Sequence, residues 1–113
     1  MNRNNTNEGA HVVIEAVFIE VAPDAHDEFE SAVRTAVETV MSRAKGFLGM
    51  SMLSGIERGD VYSLMIQWES LEDHTEGFRG SELFDEWRAI VSPFFIGAPT
   101  VDHWVPAFTI ERP

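Results

Sequence analysis

The order of patterned segments predicts an α+β domain on the plan β-α-β-β-α-β, with its helices on one face of a four-stranded antiparallel sheet. Three observations carry this. An opening strand pattern leads directly into a long amphipathic helical pattern; two strand-like runs follow, separated only by a turn-forming tetrapeptide; and a second helical stretch, broken by glycines, precedes a closing strand. That order is the ferredoxin-like arrangement.

Taken in sequence, Met1 to Ala10 (MNRNNTNEGA) has four asparagines and almost nothing to bury, so it is expected to be a disordered tail ahead of a single domain over residues 11–113. Val12 to Val21 is β-branched or aromatic apart from Ala16 and two glutamates, and Ala22-Pro23-Asp24 ends the strand and starts a helix. Phe29, Ala32, Val33, Ala36, Val37, Val40, Met41 and Ala44 recur at three- and four-residue spacing, while Glu30, Arg34, Glu38 and Arg43 take other faces. One helix is predicted through Ala44, with Gly46 as its left-handed stop after Lys45.

Met50 to Ile56 and Val61 to Glu69 flank Glu57-Arg58-Gly59-Asp60 and should pair as a hairpin. Ser70 with Asp73 makes an approximate capping box for a short helix that Gly77 and Gly80 interrupt. Ser81 should cap a further helix, whose stripe of Leu83, Phe84, Trp87, Ile90 and Val91 runs until Pro93. Val101 to Ile110 reads as the last strand, with Pro106 marking an edge or a bulge.

The first strand is apolar on both sides. Val13, Val17, Ile19 and Val21 point one way, and Val12, Ile14, Ala16 and Phe18 the other, yet one helical layer covers only one sheet face. A homodimer through the uncovered sheet face is therefore expected. The side bearing Val13, Glu15 and Val17 is assigned to that contact, where Glu15 would need a partner donor and its pKa should rise. Phe18 is left among the residues facing a substrate.

Composition narrows the function. Eight Lys and Arg against 19 Asp and Glu give a net charge of −11 over 113 residues, which repels nucleic acid and anionic membranes, so neither is expected as a partner. The chain has no cysteine, hence no disulfide, thiolate nucleophile or thiolate metal site. No apolar run approaches the roughly 20 residues of a membrane span, and a soluble cytoplasmic protein is expected. Gly-x-Ser-x-Gly, phosphate-loop and dinucleotide fingerprints are all missing, so no cofactor is indicated. The histidines, His11, His26, His74 and His103, fall in different elements; only His26 and Glu30 share a helical i, i+4 spacing, and no third ligand follows, so no metal is expected.

Trp68 closes a run in which Tyr62, Leu64, Ile66 and Trp68 share one face. The indole either packs in the core or, beside Phe78, Phe84 and Trp87, lines a pocket for a flat aromatic molecule. Arg88, four residues after Phe84, is either a snorkelling surface arginine paired with Asp85 or Glu82, or a cation at the pocket mouth that stabilises developing negative charge. His74 is either solvated on its short helix or a neutral imidazole able to take a phenolic proton. His103, in line with Val101 and Val105, reads as a hydrogen-bonded core or interface histidine before it reads as a base. Met41, Met50, Met52 and Met65 read as core filler.

Together, the opening strand, Gly46-Phe47-Leu48-Gly49, Gln67-Trp68-Glu69-Ser70, Phe78-x-x-Ser81-x-x-Phe84 and a closing strand after Pro99 resemble the antibiotic biosynthesis monooxygenase family of dimeric α/β barrels, from about Val12 to Phe108. In that family's cofactor-independent branch, which oxidises polyketide phenols to quinones, a tryptophan, a tyrosine six residues on and an arginine twenty residues on are implicated. The resemblance assigns Trp68, His74 and Arg88 to these places, with imidazole in place of phenol. The branch's asparagine, four residues before the tryptophan, is Leu64 here, which joins Phe18, Phe78, Phe84 and Trp87 as a substrate-binding candidate. In the haem-degrading branch the helix histidine corresponds to Arg88 and the strand asparagine to Ala16, so the haem ligand is missing.

The resemblance thus implies a cofactor-independent monooxygenase acting with O₂ on an aromatic or polyketide-like molecule. Its alternatives are a non-enzymatic small-molecule-binding or regulatory protein, a polyketide cyclase or isomerase, and, more weakly, haem degradation.

Overall fold

A computed structural model describes residues 12–113. His11 and the tail expected over residues 1–10 lie outside that range. The elements are β1 (Val13–Glu20), a 3₁₀ turn (Pro23–Ala25), α1 (His26–Thr39), a 3₁₀ turn (Met41–Arg43), β2 (Phe47–Ser54), β3 (Val61–Trp68), a π-helical turn (Asp73–Phe78), α2 (Glu82–Val91), a 3₁₀ turn (Ser92–Phe94) and β4 (Ile96–Trp104). The sheet order is β2-β3-β1-β4, with β1 antiparallel to both β3 and β4. This is the ferredoxin-like plan expected from the sequence, and among the described residues no helix is long and apolar enough to cross a membrane.

The core forms where the apolar stripe of α1 (Phe29, Val33 and Ala36) and Trp87 and Val91 of α2 meet one face of the sheet. That face is set by register: Val13 lies opposite Trp68, Glu15 opposite Ile66, Val17 opposite Leu64 and Ile19 opposite Tyr62. Paired antiparallel residues point the same way, so the four apolar side chains of β3 carry Val13, Glu15, Val17 and Ile19 under the helices.

This reverses the expected assignment of the β1 faces. Val13, Glu15 and Val17 are buried beneath the helices, and the open face holds Phe18, 39% exposed, with Leu53 and Trp104. Both sides of β1 are apolar, so its own alternation carries no information about which one the helices cover.

Several boundaries also differ, and β2, expected over Met50 to Ile56, runs from Phe47 to Ser54. The first helix ends at Thr39 and tightens into a 3₁₀ turn that still buries Val40 and Met41. Gly46 is left-handed as expected, with φ of +84°. A Cβ there would collide with the Asp73 carboxylate, so the glycine also allows the π-helical turn to approach β2. The last strand starts at Ile96 and ends at Trp104, ahead of Pro106; Pro99 falls on this edge strand where the β1–β4 register shifts, between the Ile96 and Thr100 pairs. Ser70 caps as expected, accepting a bond from the Asp73 N–H at 3.1 Å, whereas the Ser81 hydroxyl donates back to the Phe78 carbonyl at 2.7 Å.

Candidate active site

A cavity of about 220 Å³ opens between the covered face of the sheet and the segment from the π-helical turn through α2. Its floor comes from Glu15, Val17 and Ile19 of β1 with Leu64 and Ile66 of β3. Phe78, Phe84 and Trp87 form the aromatic wall, and Phe78 and Phe84 meet edge to face at 5.7 Å. His74, Arg79 and Arg88 bring the remaining polar groups, while Pro99 and Val101 close the β4 side. A larger open groove of about 530 Å³ runs between α1 and the hairpin, but its acids, Glu30 and Glu38, sit on the outer flank of α1 among no comparable set of aromatic groups.

One wall of the cavity is a hydrogen-bonded line. The Trp68 indole N–H donates to Glu15 Oε1 at 3.0 Å. His74 Nε2 lies 3.2 Å from the same oxygen, and His74 Nδ1 lies 2.9 Å from His103 Nε2. The line is assembled by the tertiary fold: β1 and β4 hold Glu15 and His103 directly opposite one another, and the π-helical turn brings His74 into contact with both. Its indole neighbour is packed by Phe47 at 5.9 Å and Phe78 at 5.5 Å.

Burial decides the charges. Desolvation pushes the Glu15 carboxyl up from 4.5 to about 7, against the Trp68 hydrogen bond and the Arg79 charge, which both act to lower it. Desolvation, with the neighbouring His103 and Arg79 charges, holds His74 down at about 4. An ionised Glu15–His74 pair would bury two charges, so between these values burial selects a hydrogen bond between neutral partners. Among the described residues no group of three or more His, Asp or Glu could hold a metal. Glu15, His74 and His103 are strung in line and do not converge on a point.

The cavity also carries two cations. Arg79 and Arg88 each place a guanidinium 5.9 Å from the centre of the Phe84 ring. Arg34 and Arg43 are paired with Glu38 and Glu86, but neither Arg79 nor Arg88 has a carboxylate partner among the described residues. In a chain where acids outnumber bases 19 to 8, two unneutralised arginines at one cavity mouth make an anion-attracting rim.

Of the residues expected at the site, His74, Arg88, Leu64, Phe78, Phe84 and Trp87 line the cavity. Trp68 does not: it is fully buried behind the wall and acts on the cavity through Glu15. Phe18 is on the other side of the sheet, because β1 is turned over relative to expectation. The same reversal brings Glu15 into the cavity and leaves Ala16 on the opposite face. His103 is an exposed partner of His74, neither core nor solitary. Arg79 was not expected; only its position beside Phe78 hinted at it. Glu15 takes its face from the β1–β3 register, where it lies opposite Ile66.

Fold and cavity define a ferredoxin-like domain with a mostly apolar cavity between its sheet and its helices. The family model for antibiotic biosynthesis monooxygenases matches residues 12–90, and the chain belongs to that family. It is 40% identical over 93 residues to the uncharacterized protein YczJ of Bacillus subtilis, a match covering 82% of this chain and 97% of YczJ. A solved structure from Bordetella bronchiseptica, provisionally named an antibiotic biosynthesis monooxygenase, superposes with a TM-score of 0.81 at 33% identity over 87% of this chain and 99% of that one. A second, with the same provisional name, from Caulobacter crescentus, shares the fold with a TM-score of 0.72 at 18% identity, covering 94% and 98%.

Proposed function

We propose that the protein is a cofactor-independent monooxygenase that oxidises a small aromatic molecule with O₂, working as a homodimer joined through the open sheet face. The observation that carries this reading is the combination of opposites in one apolar cavity: a proton-accepting Glu15–His74 pair and the Arg79 and Arg88 guanidiniums, beside the aromatic wall of Phe78, Phe84 and Trp87. A phenol stacked on that wall would lose its proton toward the pair and keep its negative charge toward the arginines.

The chemistry that fits is oxidation of an anthrone-like phenol. Loss of the phenolic proton gives an electron-rich anion, which passes one electron to O₂. The delocalised radical and superoxide recombine into a carbon–oxygen bond at the methylene-derived carbon, the peroxide anion takes back one proton, and the hydroperoxide loses water to leave a carbonyl. A methylene and O₂ thus become a carbonyl and H₂O, and the protein supplies desolvation, a proton acceptor and charge stabilisation. The cavity of about 220 Å³ is below the usual range of roughly 300–1,000 Å³ for ligand pockets, which favours one to three rings over an elongated polyketide. Haem cleavage is disfavoured, since Arg88 stands at the helix position of the expected histidine ligand. Dimerisation is supported by the apolar open face, where Phe18, Leu53 and Trp104 are 39%, 48% and 58% exposed.

Oxygen uptake with a panel of anthrone-like phenols tests the reading. Turnover should fall by about 10²-fold or more in Arg88→Ala and in His74→Ala. Unchanged rates would remove these residues from the reaction. Tight binding of the panel with no oxygen consumed by the wild type would instead make the protein a binding subunit.

A further inference from the structure

We infer that Glu15, His74 and His103 form a proton path from the cavity to solvent, with Glu15 as the group that meets the substrate and His103 as the exit. The inference rests on the reading of the cavity given above and deepens it by assigning the proton's route.

The geometry of the ring atoms leads to this. Both nitrogens of His74 are engaged, Nε2 with Glu15 and Nδ1 with His103, and the ring is buried. It cannot take a proton from a substrate without breaking one of those contacts, but it is well placed to pass one along. Glu15 is different. Its Oε1 is shared between the Trp68 N–H and His74, while Oε2 takes no hydrogen bond from the described residues, on a side chain that lines the cavity. At the far end, His103 is exposed, and its Nδ1 is not part of the line. Exposure therefore rises along the chain of contacts from a buried carboxyl to a surface imidazole.

The transfer balances with every protein group neutral at start and finish. Glu15 begins as the acid with its proton on Oε1, directed at His74 Nε2. The substrate O–H bond breaks and its proton joins Oε2. The Oε1 proton passes to His74 Nε2, the His74 Nδ1 proton passes to His103 Nε2, and the His103 Nδ1 proton goes to water. One proton leaves the substrate, one enters solvent, and the anion remains facing Arg79 and Arg88. Glu15 is the single carboxylate lining the cavity; the other groups facing it are the Trp68 indole from β3, His74 and Arg79 from the turn, and His103 from β4. A carboxyl near neutrality at about 7 is suited to exchanging protons in both directions. A purely structural role, accepting the Trp68 N–H, would be filled as well by an amide and would require no contact reaching the surface.

The test needs no substrate. If the line conducts, the protonation state of Glu15 sets the tautomer of His74: the carboxylate demands Nε2–H, and the acid favours Nδ1–H. In full-length protein carrying ¹⁵N-labelled histidine, NMR across the Glu15 titration should show His74 exchanging tautomers in the wild type and holding one tautomer in Glu15→Gln. Exchange of the His74 ring proton with solvent should slow at least tenfold in His103→Phe, whose substitution is at an exposed edge-strand position, and added imidazole should restore it.

A His74 tautomer that ignores pH in the wild type, or changes equally in Glu15→Gln, overturns the path. Exchange that is indifferent to His103 overturns the exit. Oxygen uptake fails or succeeds separately: an intact tautomer switch without turnover would sink the monooxygenase reading and leave the path standing.

Discussion

The two faces of the sheet are built from the same strands and both carry apolar side chains, yet they have different fates. Under the helices, Val17, Ile19, Tyr62, Leu64, Ile66 and Trp68 are all less than a tenth exposed. On the far side, Phe18, Leu53 and Trp104 stand open. The difference teaches that the apolar pattern of β1 alone does not decide which of its faces becomes the core of the chain. The covering layer decides it, and with it where a polar residue is desolvated. Glu15 has chemistry because it is one residue removed from Ala16; shifted to the other face, it would be an ordinary carboxylate on a sheet surface.

The largest expected effect contrasts the two faces directly. Trp68→Ala removes a fully buried indole from the covered face and takes a hydrogen bond from Glu15. It should cost about 3–5 kcal/mol in a denaturant titration. Trp104→Ala, on the open face, should cost under about 1 kcal/mol in protein dilute enough to be monomeric. Equal losses would mean that the open face also contributes to the core within one chain.

A second, smaller contrast lies inside the covered face. Glu15 has a raised pKa, so its protonated form stabilises the fold below 4.5, and that stability is lost as pH rises toward about 7. His74 has a lowered pKa, so its neutral form stabilises the fold above 6.5, and that stability is lost as pH falls toward about 4. The slopes oppose each other, and wild-type stability should be nearly flat between about pH 4.5 and 6.5. Glu15→Gln should expose a stability that falls on acidification, and His74→Phe one that falls as pH rises. A steep wild-type slope with no change in either variant would show that the pair is not desolvated as described.

These contrasts also mark what the sequence made legible. Element order, the hairpin, the Ser70 cap, the left-handed Gly46 and the aromatic wall could be read from spacing, because each rests on local chemistry within a few residues. The side of β1 that meets the helices could not be read from β1 alone. It follows from a partner strand about 50 residues away, where Leu64 and Ile66 align with Val17 and Glu15. The misplacement of Phe18, and the first assignment of Glu15 to a dimer contact, both come from that one non-local fact. Arg79 lies outside any pattern because an exposed arginine after Phe78 acquires meaning only when α2 brings Arg88 to the same ring. His103 was unreadable for the same reason: its partner is 29 residues away, on the π-helical turn.

The smallest effect on the fold is the sharpest test of the open face. Phe18 contributes little to the core of its own chain, so Phe18→Ala should change folding stability by less than about 0.5 kcal/mol in dilute protein. If a second copy covers that face, the same truncation removes an aromatic contact from a desolvated interface. Loss of about 1.4 kcal/mol there corresponds to a tenfold rise in the dimer dissociation constant. Sedimentation across a concentration series separates the two quantities, since folding is independent of concentration and association is not. A wild type that sediments as a monomer at micromolar concentration would remove the second copy as the cover. Phe18, Leu53 and Trp104 would then be an apolar surface with no partner in this chain, and the cavity on the opposite face would have to act within a single subunit.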